Sequence, residues 1–163
     1  GYAGAIVATS FESKDVVSID PAAPEQRTVL AADLAYPLGL ATDGGNLYVG
    51  DFLTGQILQV AADGVTLDSP KLIAEGLQGP EGMALTDDGR LLVVESGANR
   101  LSIVDLASGQ ISTLIPELGI LNDVPRSRPQ HYFFNGVDVS PSGMIYVTAD
   151  EPNVIYRMQL PPK

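Results

Sequence analysis

Between Pro80 and Asp105 the chain alternates short apolar bursts with polar breaks: GMALT, Asp-Asp-Gly, RLLVVE, Ser-Gly-Ala-Asn, RLSIVD. Apolar runs of this length, each ended by Gly, Asp or Asn, are the pattern of β-strands joined by tight reversals. They predict three strands in series, and QISTLI after Ser108-Gly109 predicts a fourth.

The rest of the chain varies this theme. PLGLATDGGNLYVGD from Pro37, PEGMALTDDGRLLVVE from Pro80 and FNGVDVSPSGMIYVTAD from Phe134 share a glycine, an apolar strand, a glycine-bearing turn and a second apolar strand. From the end of that second strand to the end of the third is ten residues in each of four copies: Ser10 to Asp20, Asp51 to Ala61, Glu95 to Asp105 and Asp150 to Leu160. Four antiparallel strands repeated about every 40 residues are blades of a β-propeller. With the strands of a blade named a to d from the axis outward, residues 1–163 read as one all-β propeller segment. It comprises b, c and d over residues 4–33, full blades over 37–75 and 80–116, an insertion loop over 116–134, and a, b and c over 135–160. The b strands Ala5–Thr9, Leu47–Val49, Leu91–Val94 and Met144–Val147 are continuously apolar, which predicts burial on both faces, as between stacked blades. About three and a half blades fall short of the four to eight of a closed ring. The chain is therefore expected to be a piece of a larger ring closed by further blades, with closure by a second chain or a small four-bladed ring as alternatives.

Composition narrows the partners. The formal net charge is −11, which repels phosphate backbones and anionic lipid, so neither nucleic acid nor membrane is expected as a partner. No apolar run approaches the length needed to span a bilayer, and the N-terminus lacks the layout of a signal peptide, although one removed earlier would leave this same sequence. The absence of cysteine excludes disulfides, thiolate metal sites and a cysteine nucleophile. Neither GxSxG, HExxH nor a phosphate loop is present.

A Pro-x-Gly before strand a, a DG turn, an apolar strand b ending in Asp or Glu, and an Asn before strand c resemble the NHL-repeat and gluconolactonase/strictosidine-synthase-like six-bladed propellers. FFNGVDVSPSGMIYVTAD is similar to the segment of the gluconolactonase and paraoxonase-like enzymes in which an Asn-Gly precedes the inner strand and the Asn binds a central calcium ion. The resemblance implies a six-bladed ring whose axial calcium is held by a Glu, two Asn and an Asp. Of these, Glu81 and Asn135 would be present here, while Leu38 departs from the pattern. It also implies hydrolysis of an ester or lactone.

Features found in every blade read as structural, and those found once are better candidates for function. Asp51, Glu95 and Asp150 recur at the end of strand b, where a carboxylate accepts backbone N–H groups of the following turn. Gly39, Gly82 and Gly136 recur where a side chain would not fit. The residue before those glycines varies: Leu38, Glu81, Asn135. Inner-strand starts converge on the axis, and gathered carboxylate and amide oxygens suit calcium, which takes six to eight of them. Equally, Asn-Gly is a common tight-turn dipeptide and Glu81 can be a solvated rim acid.

Asp138 lies where the other blades have Ala41 and Ala84. A carboxylate among apolar neighbours must be paired, metal-bound or protonated. It is a candidate general base or a support for Asn135, or it faces a water-filled axial channel. The insertion shows as a spacing of 54 residues from Gly82 to Gly136 against 43 from Gly39 to Gly82. It carries Arg126, Arg128, the single histidine His131, and Tyr132 beside Phe133 and Phe134. These read either as a lid with His131 catalytic and Arg126, Arg128 and Tyr132 binding an anionic or carbonyl-bearing ligand, or as a surface loop pinned by its aromatics. Two functions follow: a calcium-site hydrolase acting on a small-molecule ester or lactone in the complete protein, or an NHL-like scaffold without chemistry that binds a protein or small ligand on the insertion face.

Overall fold

The computed structural model describes residues 2–120, 135–149 and 153–160. Among the described residues fourteen strands form four antiparallel sheets, each a meander in chain order. The first blade holds β1 (Ile6–Ser10), β2 (Asp15–Asp20) and β3 (Ala23–Ala31). The second holds β4 (Pro37–Thr42), β5 (Leu47–Asp51), β6 (Gln56–Ala62) and β7 (Val65–Ala74). The third holds β8 (Pro80–Leu85), β9 (Arg90–Glu95), β10 (Arg100–Asp105) and β11 (Ile111–Ile115), and the fourth β12 (Val137–Val139), β13 (Met144–Ala149) and β14 (Val154–Gln159). β1 lies beside β4, β4 beside β8 and β8 beside β12, so the sheets are stacked in sequence order by their innermost strands. This is the predicted all-β propeller architecture.

Side chains alternate across each sheet and bury on both sides of the two middle blades. Leu47 and Val49 of β5 pack with Val16, Leu34 and Val60 between the first and second blades. Tyr48, between them in sequence, points the other way and packs with Ile57, Leu77, Met83, Leu91 and Val93. Leu92 and Val94 of β9 join Leu101, Leu118, Ile145 and Val147 between the third and fourth blades. The expectation of two buried faces thus holds for Leu47–Val49 and Leu91–Val94. It fails for Ala5–Thr9 and Met144–Val147: Ile6 is 56% exposed and Tyr146 40%, because among the described residues the first and last blades have a neighbour on one side only.

The first three blades each fasten the segment that leads into a strand a. The turns after β1, β5 and β9 end on a left-handed residue, Lys14, Gly55 and Asn99. The carbonyls of these three accept the N–H groups of Leu34, Leu77 and Leu118 at 3.1, 3.1 and 3.0 Å, and all three leucines are buried. Asp51 adds a side-chain clamp: Oδ2 accepts the Ala35 and Tyr36 N–H groups at 2.7 and 3.0 Å, and Oδ1 accepts that of Thr54 at 3.1 Å. Glu95 departs from the turn role expected of it. Its carboxylate accepts the Gln78 N–H at 2.7 Å, the Arg100 guanidinium at 2.8 and 3.0 Å, and the Ser102 hydroxyl.

Strand pairing corrects the placing of Asp150. Asp51 pairs with Gln56 and Glu95 with Arg100, each across a four-residue turn, and the matching pair in the last blade is Ala149 with Val154. Ala149 therefore takes the position of the recurring acid, and Asp150 follows it, outside the described residues. The ten-residue spacing persists as Ala149 to Gln159. One-residue offsets of this kind are invisible where apolar residues adjoin, since only pairing fixes the register.

The recurring glycines at the heads of the inner strands are close-approach positions in two cases of three. A Cβ on Gly39 would meet the Glu81 carbonyl oxygen, and one on Gly82 would lie 2.5 Å from the Asn135 carbonyl oxygen and 2.8 Å from the Gly136 Cα. At Gly136 the nearest described atom is Thr148 Oγ1, at 3.8 Å. Gly39 and Gly82 thus let each inner strand lie against the next.

Candidate functional site

Because the glycines draw β4, β8 and β12 together, the residues just before them meet. Leu38, Glu81 and Asn135 line one cleft of about 490 Å³ at the head of the inner strands, with Met83, Thr9 and Phe11. The walls are mainly apolar, and the polar groups are concentrated at the Glu81–Asn135 edge. Glu81 Oε2 accepts the Asn135 backbone N–H at 3.3 Å, tying the third blade to the fourth. Asn135 is only 3% exposed. On the other side the Thr9 hydroxyl donates to the Leu38 carbonyl at 3.1 Å, tying the first blade to the second. An apolar cup with a small convergent polar group is the usual make-up of a small-molecule site.

Phe11 continues the apolar wall outward. Its ring stacks on Tyr36 with centroids 5.2 Å apart, and Tyr36 meets Phe52 at 5.8 Å. Phe11 and Phe52 both open the turn that follows a strand b, and Tyr36 is held by the Asp51 clamp. The sequence reading missed Thr9, Phe11 and Met83. The recurrence of Phe directly after Ser10 and Asp51 was the available signal.

The cleft brings together Glu81, Asn135 and Leu38, as the repeat predicts. Asp138 is not among its lining residues. Val137 and Val139 pack toward the third blade, so Asp138 projects from the opposite side of β12, where it is exposed and accepts the Val139 N–H at 2.9 Å. Ala41, its counterpart in the second blade, is buried against the third blade, so Asp138 occupies the side of β12 on which no further blade lies among the described residues. His131, Arg126, Arg128 and Tyr132 lie outside the described residues.

Calcium takes six to eight oxygens. Glu81 and Asn135 are the two oxygen-bearing side chains at the inner-strand heads, Leu38 contributes none, and the Thr9 hydroxyl is engaged with a carbonyl. Among the described residues no group of three or more His, Asp or Glu is arranged to hold a metal. The described residues do not by themselves fit the ion.

No family model matches the sequence, and no curated protein sequence does. Solved structures do match in fold. A chain of a nidogen/laminin complex superposes with a TM-score of 0.72 at 22% identity, over 96% of this chain and 56% of that one. Virginiamycin B lyase from Staphylococcus aureus gives 0.57 at 16% identity, over 100% of this chain and 54% of that one. A streptogramin B lyase gives 0.62 at 12% identity, over 97% and 52%. The chain spans about half the length of the solved structures it matches.

Proposed function

We propose that the axial cleft is the ligand-binding pole of a larger propeller and takes a small carbonyl- or ester-bearing molecule. The observation that carries this reading is the meeting of Glu81 and Asn135, from two different blades, at one edge of an otherwise apolar cleft. The Asn135 amide can donate to a ligand carbonyl, the Glu81 carboxylate can accept from a hydroxyl, and Leu38, Met83 and Phe11 receive the apolar remainder. The uncovered sides of the first and last blades are where further blades, in a longer chain or a second one, would stack to complete the ring.

Calcium-dependent hydrolysis of an ester or lactone rests on the same pair and on the likeness of the Asn135-Gly136 segment to the calcium-binding segment of gluconolactonase-like propellers. It requires oxygen ligands beyond those described. A scaffold without chemistry requires none.

Calorimetric titration with calcium and hydrolysis of a lactone and an aryl-ester panel separate these readings. Saturable calcium binding that weakens in Asn135→Ala, with turnover that needs the ion, supports the hydrolase. Calcium-independent binding of a panel compound that is lost in Asn135→Ala and Glu81→Gln supports the ligand-binding pole alone. Binding of ion and compounds unchanged in both variants would remove the axial cleft as the site.

A further inference from the structure

A second cleft, of about 870 Å³, opens at the other ends of the blades, between the turns joining β4 to β5 and β8 to β9 and the turn after β10. Its floor is apolar, with Leu85, Leu106 and the ring of Tyr48, and its rim carries Asp43, Asp87, Asp88 and Asp105. Three of these acids are occupied in holding turns. Asp43 accepts the N–H groups of Gly45 and Asn46 at 2.9 and 2.6 Å. Asp88 is paired with Arg90 at 2.6 Å, and Asp105 accepts the N–H groups of Ala107 and Ser108 at 3.1 and 3.0 Å. Asp87 is exposed and makes no hydrogen bond or ion pair among the described residues.

Tyr48 is the unexpected member. It is 7% exposed, and its ring fills the core between the second and third blades. Its hydroxyl has no hydrogen-bond partner among the described residues. A ring that served only the core would need no hydroxyl, and a buried polar group without a partner carries a cost. Tyr48 lines this cleft together with Asp43, and burial, followed by the Asp43 carboxylate, pushes its phenol above the usual range.

We propose that this cleft binds an organic cation, an ammonium or guanidinium group on an apolar stem, with the Tyr48 hydroxyl as the acceptor at the floor and Asp87 as the counter-charge at the lip. The stem would lie along Leu85 and Leu106. A bare metal ion suits the site poorly, because the other carboxylates are committed to turns and much of the floor is hydrocarbon. The same chemistry is offered by a free amine or by a lysine or arginine side chain of a partner protein.

The test uses two probes, butylguanidinium and a blocked Gly-Arg-Gly peptide, titrated into the protein and followed by amide chemical shifts. Saturable shifts at Tyr48 and Asp87 are expected, with affinity roughly fivefold weaker in Tyr48→Phe. Tyr48→Phe keeps the ring in the core and leaves the net charge unchanged, so any general attraction of cations to this acidic protein is the same in both. Asp87→Asn should also weaken binding, and retained shift dispersion shows that both variants fold. A peptide that binds tighter than butylguanidinium indicates a partner side chain, and the reverse order a free small molecule. Shifts that do not saturate, or equal affinity in Tyr48→Phe and the native chain, would overturn the proposal.

Discussion

The Glu95 carboxylate, fully buried, is met by the Arg100 guanidinium through two parallel hydrogen bonds of 2.8 and 3.0 Å. Arg100 reaches toward solvent at its outer edge, while Glu95 has no route to water. Removing the arginine would strand a buried charge with only the Gln78 N–H and the Ser102 hydroxyl. Arg100→Ala should therefore lower stability by about 3 kcal/mol, read as the midpoint of urea unfolding. Arg100→Lys should recover only part of this, since an ammonium cannot reproduce the planar fork.

Asp51 gives the protein an acid-sensitive joint. Burial alone would push its carboxyl up, but the N–H groups of Tyr36, Thr54 and Ala35 outweigh burial and hold it below the usual carboxylate range. With a lowered folded-state value, the unfolded chain binds the proton first as pH falls. The stabilisation is complete above the unfolded value near about 4 and is lost as pH drops through the folded value. Asp51→Asn should lower stability by about 1–2 kcal/mol at neutral pH and flatten the acid limb of a plot of unfolding free energy against pH.

Gly82 and Gly136 hold the same place in neighbouring blades and should respond differently to an added methyl. Gly82→Ala forces a Cβ against the Asn135 carbonyl and should lower stability by about 1–3 kcal/mol. Gly136→Ala meets only an ordinary van der Waals contact among the described atoms, at a φ that alanine tolerates, and the thermal midpoint should stay within a few degrees of that of the native chain. Equal losses at both sites would show that the stacking contact at Gly82 is not what the glycine serves.

Ile155 is 67% exposed on the last blade and Ile6 56% on the first. Uncovered apolar sheet faces favour association. Sedimentation should show self-association of the 163-residue chain that declines in Ile155→Glu or Ile6→Glu. An unchanged monomer in all three would mean that these faces are stable in water.

Blade architecture was legible in the sequence because its determinants are local. An apolar run and a turn residue suffice to mark a strand and its end, and the meeting of Glu81 with Asn135 follows once Gly82 and Gly136 are aligned. Other features depend on pairing or on orientation. Whether Ala149 or Asp150 ends its strand is decided by the partner Val154. Which side of β12 Asp138 takes is set by alternation along the strand and not by its neighbours in sequence. Tyr48 read as one more apolar position in LYVGD, and only its place at the cleft floor gives the hydroxyl meaning. Leu34, Leu77 and Leu118 went unread because backbone carbonyls, which carry no sequence identity, hold them.

Asp51 grips a segment that lies 15 and 16 residues earlier in the chain, and Glu95 one that lies 17 earlier. Both clamps close within one blade, that of Asp51 by the turn after the second strand and that of Glu95 once Arg100 and Ser102 of the third have joined it. Folding can then proceed vectorially, blade after blade, as short-range contacts favour. The same clamps mark where modules can be cut and exchanged: a graft divided ahead of Ala35 or Gln78 carries its fastening with it, and one divided just after Tyr36 or Gln78 leaves the carboxylate behind without its strap.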